Sequence, residues 1–284
     1  MTGALSSMCH GWPRPRLEQL TPIVYFGVSL VLDKTCSNDA TKYALQCLAD
    51  ITGEGIAGSQ AVSGVGAYPL TQRLIQILSQ RKTNELVDPA LRTLRNICDH
   101  VQGYDPVQAA VKGGFLEVAH SLLESGLSKT AEVDMCNLLC KVASGIQTTS
   151  HLVIHPSVLS NLVGIAMEGI REWPVRKEAI QAICHVAGTT DDVVVEALVK
   201  CNGIEALVEA LFIRADDRVL VKALNALEKI LEAGERLGHP YGLMIDQFCG
   251  IDRIEVLQNH ANSDVAAVAE EILDRYMGGY EAED

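Results

Sequence analysis

Aromatic residues are scarce in this 284-residue chain, at 5% of positions, with four Phe and two Trp. That scarcity argues against a sandwich or barrel, whose strands rely on aromatic and β-branched side chains. Basic residues are also in short supply, with 23 Lys and Arg against 36 Asp and Glu and a formal net charge of -13. Nucleic acid is therefore not expected as a partner, because phosphate contacts require clustered cations. Long apolar runs are missing as well. The longest, Ile23 to Leu32, is about half of what a membrane span needs, so no membrane association is expected. Met1 to His10 has neither the basic start nor the apolar centre of a signal peptide. The nine Cys are odd in number and scattered, which does not suit a secreted disulfide framework and points to a reducing compartment.

What the chain has in abundance is Leu, Ala, Val and Ile at helical spacing. Ala40 to Gly53, Val87 to Cys98, Glu132 to Gly145, Arg176 to Gly188 and Val219 to Leu231 each place small or apolar residues at i, i+3, i+4 and i+7. That pattern marks a helix buried along one broad face. Aligned on the polar residue before a terminal Ile, Val or Met, the segments match at Ser7, Asp50, Asn96, Lys141, His185 and Lys229. The spacings are 43, 46, 45, 44 and 44 residues. A period of this size belongs to stacked helical repeats, whose units cannot bury their apolar faces alone. Between the long helices lie Gly-broken apolar stretches such as Val111 to Leu123 and Leu198 to Leu211. Gly there allows a sharp bend between a short helix and a longer one. Three helices per repeat favour the armadillo plan. The expected fold is an all-α, right-handed α-solenoid of armadillo repeats over residues 1–276, about five and a half repeats. Third helices are expected near 1–10, 38–53, 85–99, 130–145, 174–188 and 217–233, with an acidic, disordered tail at 277–284.

The end of the chain is more specific. Glu228-Lys-Ile-Leu-Glu-Ala-Gly-Glu235 followed by Gly250-Ile-Asp-Arg-Ile-Glu-Val-Leu-Gln-Asn-His260 resembles the last repeat of the importin alpha family. Leu5-Ser-Ser-Met-Cys-His-Gly11 and Pro89-Ala-Leu-Arg-Thr-Leu-Arg-Asn-Ile97 resemble its central repeats. The resemblance implies an adaptor in nuclear protein import, present in cytoplasm and nucleus. Its partners would be proteins bearing basic nuclear localisation signals and an exportin loaded with Ran-GTP. In that family, third helices carry Trp-x-x-x-Asn on the concave face. The Trp rings stack on the stems of signal Lys and Arg, and the Asn amides bind the peptide backbone.

This chain departs from that pattern. The Trp positions correspond to Gly3, Gln46, Arg92, Asn137, Gln181 and Asn225, and only Asn96 keeps the Asn type. Trp12 and Trp173 are read as lying in connections. The peptide-binding residues implied are Gln46, Asp50, Arg92, Asn96, Asp134, Asn137, Lys141, Glu178, Gln181 and His185. Asp134 and Glu178 supply negative charge, whereas Lys141 and Lys229 are expected to repel a basic peptide. The exportin-binding region implied comprises Glu235, Arg236, Asp246, Asp252, Glu255, Gln258 and His260. Importin beta is a doubtful partner, since no basic N-terminal segment is present. The other reading is an armadillo scaffold outside nuclear transport.

Catalysis is not expected. There is no Gly-x-Ser-x-Gly elbow, phosphate loop or dinucleotide fingerprint, and Gly64-Val-Gly66 reads as a bend. The pairs Cys136 and Cys140, and His151 and His155, stand one helical turn apart without a third ligand. Buried thiols and ordinary histidines are the expected reading, with no metal and no cofactor.

Overall fold

A computed structural model describes residues 16–80, 83–100, 105–145, 151, 155–213 and 216–277. The segment near 1–10, Gly3, Ser7 and Trp12, and the tail after Met277, lie outside the described residues. Among those described there are helices and no strands. The chain divides into two compact units, one ending at Val142 and the other beginning at Ala143.

The first unit contains α1 (Leu17–Leu32), α2 (Asn38–Thr52), α3 (Ile56–Ser79), α4 (Asn84–His100), α5 (Pro106–Lys112), α6 (Phe115–Ser125) and most of α7 (Lys129–Ser144). The second contains α8 (Pro156–Met167), α9 (Trp173–Ala187), α10 (Asp192–Lys200), α11 (Gly203–Leu211), α12 (Asp217–Leu237), α13 (Tyr241–Gln247), α14 (Gly250–Leu257) and α15 (Ser263–Ile272). A short π turn, Leu273–Met277, follows. The triplets α5–α6–α7, α10–α11–α12 and α13–α14–α15 each run from a short helix through a bend to a longer one, the armadillo plan. Trp173 is the first residue of α9 rather than part of a connection, because Pro174 at the next position favours the opening turn of a helix.

Local chemistry explains where the helices start. Ser37, Asp105, Asp191, Asp216 and Asn262 are N-caps whose side chains accept from backbone N–H groups in the first turn. The bends share one backbone solution. Gly114, Asn202 and Cys249 each stand in the left-handed region just before the second helix of a repeat, at φ 88, 64 and 57°. In α3 the turn is made instead at Gly66, whose backbone leaves the helical region within an otherwise continuous helix.

Packing follows the periodic apolar positions. In α4, Leu86, Val87, Ala90, Leu91, Leu94 and Ile97 are buried, and in α12, Val219, Leu220, Leu224, Leu227 and Ile230 are buried. Each fully buried Leu or Ile contributes roughly 1.5–3 kcal/mol before the ordering entropy is charged. The helices of each unit pack in the sequence that stacking requires, α2 on α4 in the first and α9 on α12 then α12 on α15 in the second.

The candidate peptide-binding face

Within each unit, third helices lie side by side, α2 with α4 in the first and α9, α12 and α15 in the second. In the first unit, α2 and α4 form the walls of a cleft of about 470 Å³. Lys42, Gln46 and Asp50 come from α2, and Asn84, Glu85, Asp88 and Arg92 from α4. Lys42, Gln46 and Asp50, and likewise Asn84, Asp88 and Arg92, step by four residues, so each wall presents a polar group at every helical turn, with Glu85 beside Asn84. Gln46, Asp50 and Arg92 were expected on this face. Lys42, Asn84, Glu85 and Asp88 were not, although the four-residue step from Gln46 and Arg92 points directly to all of them but Glu85.

The cleft carries charges of both signs. Lys42 and Glu85 pair at 2.8 Å across it, which holds the Lys42 ammonium above its ordinary pKa. Arg92 is half exposed and lies 4.0 Å from Asp134 Oδ2. Arg95 Nε stands 2.9 Å from Asp134 Oδ1, an ion pair without good hydrogen-bond alignment. Asp88 Oδ2 accepts from Ser128 Oγ at 2.7 Å. Its Oδ1 is buried with no hydrogen-bond partner among the described residues.

Two of the expected contacts are corrected by burial. Asn96 does not present its amide to a ligand. Only 4% of the residue is exposed, and its Nδ2 donates to Thr52 Oγ1 at 3.0 Å and to Ala49 O at 3.3 Å. Ser59 Oγ bridges to Thr52 O and to Asn96 O, both at 3.1 Å. Asn96 is thus part of a polar seam joining α2, α3 and α4. Asp134 is likewise turned inward. It is buried against its own arginines, and burial raises its pKa above the usual carboxyl value, with Arg95 and Arg92 opposing. A ligand cation would have to displace those arginines to reach it.

The expected repulsion from lysines is also reduced by pairing. Lys141 Nζ stands 2.6 Å from Asp99, and Lys229 pairs with Glu232 at 2.9 Å. Asn137 is half-buried on α7.

In the second unit, Gln181 Oε1 accepts from Lys222 Nζ at 2.8 Å, joining α9 to α12. Lys177 pairs with Asp216 at 2.5 Å, which depresses the carboxyl pKa. Glu178 is half-buried and His185 is exposed. The residues expected to meet an exportin lie between the last turn of α12 and the segment just after α14, which holds Gln258 and His260. Glu235, Asp246, Asp252, Glu255 and Gln258 are exposed. Arg236 pairs with Asp192 at 2.6 Å, and the half-buried His260 stands 4.0 Å from Asp217. Exposed Leu243 and Val256 lie among them.

Among the described residues no group of three or more His, Cys, Asp or Glu is placed to hold a metal, and no helix is long and apolar enough to cross a membrane. Residues 239–284 match the model of the atypical Arm repeat. The chain is 31% identical to importin subunit alpha-1b of Oryza sativa subsp. japonica over 285 residues, which is 97% of this chain and 51% of the relative. It is 32% identical to importin subunit alpha-3 of Arabidopsis thaliana over 286 residues, again 97% of this chain and 51% of the relative. The chain is similar to importin alpha subunits along nearly its whole length. It spans about half the length of the curated relatives it matches. A computationally designed armadillo repeat protein for modular peptide recognition superimposes with a TM-score of 0.72. That match covers 88% of this chain and 98% of the designed one at 21% identity, and it shows the shared armadillo-repeat fold.

Proposed function

We propose that the chain is an importin-alpha-like adaptor in nuclear protein import, working between cytoplasm and nucleus and catalysing no reaction. Two partner classes follow from this reading. Cargo bearing a basic localisation signal lies along the third helices, through Gln46, Asp50, Arg92, Asn137, Glu178, Gln181 and His185. An exportin with Ran-GTP meets the exposed surface from Glu235 to His260. The observation that carries the reading is homology along 97% of the chain to importin alpha subunits. The exposed acidic residues of α13 and α14 suit a partner surface rather than a core role.

Signal binding is weak in this reading. Where the family has Trp, the chain has Gln46, Arg92, Asn137 and Gln181. Each missing ring removes a cation–π contact of about 0.5–2 kcal/mol. Lys141, Lys177, Lys222 and Lys229 are held by side-chain acceptors on the protein itself. A basic peptide has to compete for those acceptors.

Calorimetric titration with a bipartite basic peptide is expected to give a Kd in the micromolar range or weaker. Sub-micromolar binding that survives high salt would show the groove to be intact. A pull-down with and without Ran-GTP tests the second partner. Ran-dependent retention of the exportin is expected, with loss on joint substitution of Asp252 and Glu255 by Lys. The internal pairing of groove lysines favours a second reading, an armadillo scaffold outside transport, and exportin retention that ignores Ran-GTP would select it.

A further inference from the structure

We infer that the cleft between α2 and α4 recognises an extended peptide of mixed charge, with a Lys or Arg and an Asp or Glu two residues apart. The inference rests on the reading of this face as a peptide-binding surface and names the ligand chemistry it selects.

The argument starts from what the cleft leaves to a ligand. Lys42 and Glu85 satisfy one another at 2.8 Å. Arg92 is different. Its side chain is 43% exposed, and its nearest carboxyl, Asp134, is 4.0 Å away and engaged at 2.9 Å by Arg95. A guanidinium has five N–H donors in a planar fork, and a carboxylate fits it with two parallel bonds. Arg92 therefore offers a binding position for an acidic side chain, where a ring would receive the stem of a basic one.

One helical turn earlier the preference reverses. Asp88 lines the same cleft, and its Oδ1 has no hydrogen-bond partner among the described residues. That oxygen is sealed from solvent in the unliganded cleft, so a ligand N–H reaches it only when the Asp88 side chain rotates outward, and the bond then relieves the cost of a buried acceptor without a donor. Asp50, on the facing wall, adds a second carboxyl to the same cleft. An acceptor region and a cation one turn apart are separated by about 5–6 Å. Alternate residues of an extended peptide point the same way and recur at roughly 6.5 Å. The two spacings match, so a basic residue and an acidic one, two positions apart, meet Asp88 with Asp50 and then Arg92. A uniformly basic peptide satisfies the first and is repelled by the second.

The test is fluorescence anisotropy with three labelled peptides of equal length: a Lys-Gly-Glu-Gly repeat, an all-Lys counterpart and an all-Glu counterpart. The mixed peptide is expected to bind about five- to tenfold more tightly than either of the others. Arg92→Gln is expected to abolish that preference by weakening the mixed peptide and leaving the all-Lys peptide unchanged or tighter. A thermal melt of the variant checks that it is folded, and Lys200→Gln, at an exposed residue of α10 outside this cleft, serves as a second variant that keeps the preference. Tighter binding of the all-Lys peptide by the unaltered protein overturns the inference while sustaining a basic-signal adaptor. Binding of none of the three also overturns it. The exportin pull-down does not involve this cleft, so it decides the adaptor reading separately.

Discussion

The two units solve the same stacking problem with different chemistry. All the buried polar residues described in the structure, Thr41, Thr52, Ser59, Thr71, Thr93, Asn96 and Asp134, belong to the first unit. There, hydrogen bonds run through the interior between neighbouring helices, as in the Thr52, Ser59 and Asn96 seam. The second unit buries apolar side chains and keeps its cross-repeat polar contacts toward the rim, as in Arg236 with Asp192 and Gln181 with Lys222. Buried polar networks specify geometry at the risk of a large cost if one member is lost, whereas rim pairs are individually worth little. The first unit should therefore be brittle to single polar or steric changes, and the second tolerant of them.

The strongest way to expose that contrast is steric. A Cβ added at Gly58, in the first unit, would sit 1.9 Å from Ile51 O, so the end of α2 must move away from the start of α3. Gly58→Ala is expected to cost about 3 kcal/mol or more. At Gly250, in the second unit, the nearest atom is a methyl of Ile245 at 2.5 Å, and Gly250→Ala is expected to cost about 1–3 kcal/mol. Chemical denaturation of both variants checks the order, and an equal or greater loss at Gly250 breaks the comparison.

A smaller effect separates two residues at the same repeat position. Asn96→Ala leaves Thr52 Oγ1 and Ala49 O without their amide donor and is expected to cost about 1–3 kcal/mol. Hydrogen exchange should speed up in α2 and α4. Lys229→Ala removes only a partly exposed pair with Glu232, worth at most about 0.2–1 kcal/mol. If the two substitutions cost the same, the polar seam has no special role.

The finest distinction is in pH dependence. The folded-state pKa of Asp134 is raised above 3.8 by burial, so the folded protein holds that proton more tightly than the unfolded chain. Its stabilising contribution is present in acid and is lost as pH rises from 3.8 through the raised value. Asp216 is depressed below 3.8 by Lys177, so its contribution is present above 3.8 and is lost as pH falls through the depressed value. Unfolding curves from pH 7 to pH 3 should show Asp134→Asn and Asp216→Asn differing from the parent with opposite slopes. Slopes of the same sign would remove the electrostatic difference between the units.

Much of this architecture was readable from side-chain spacing. The apolar period of Pro89 to Ile97 and of Val219 to Leu231 specified helices with one buried face, and the recurrence near 44 residues specified their stacking. Gly113-Gly114 and Asn202-Gly203 announced the bends, because few other residues enter the left-handed region without strain. Cys249 at the third bend carried no such announcement.

The face itself was legible only in part. Its register was readable, because a four-residue step keeps side chains on one side of a helix. Gln46, Asp50 and Arg92 were expected there from the resemblance to importin alpha, and Lys42 and Asp88 follow from the four-residue step. The direction in which a polar group spends its hydrogen bonds was not. Asn96 has the residue type of a peptide ligand, and Asp134 the charge of one. Each is committed instead to a partner 39 to 47 residues away in sequence or to a neighbouring helix, a choice set by how closely two helices approach. By itself the sequence determined the helices and their period, since those depend on residue type and local spacing. Which polar residues remain for a ligand was decided by the tertiary structure, since a donor or carboxyl is consumed by whatever packing brings within about 3 Å of it.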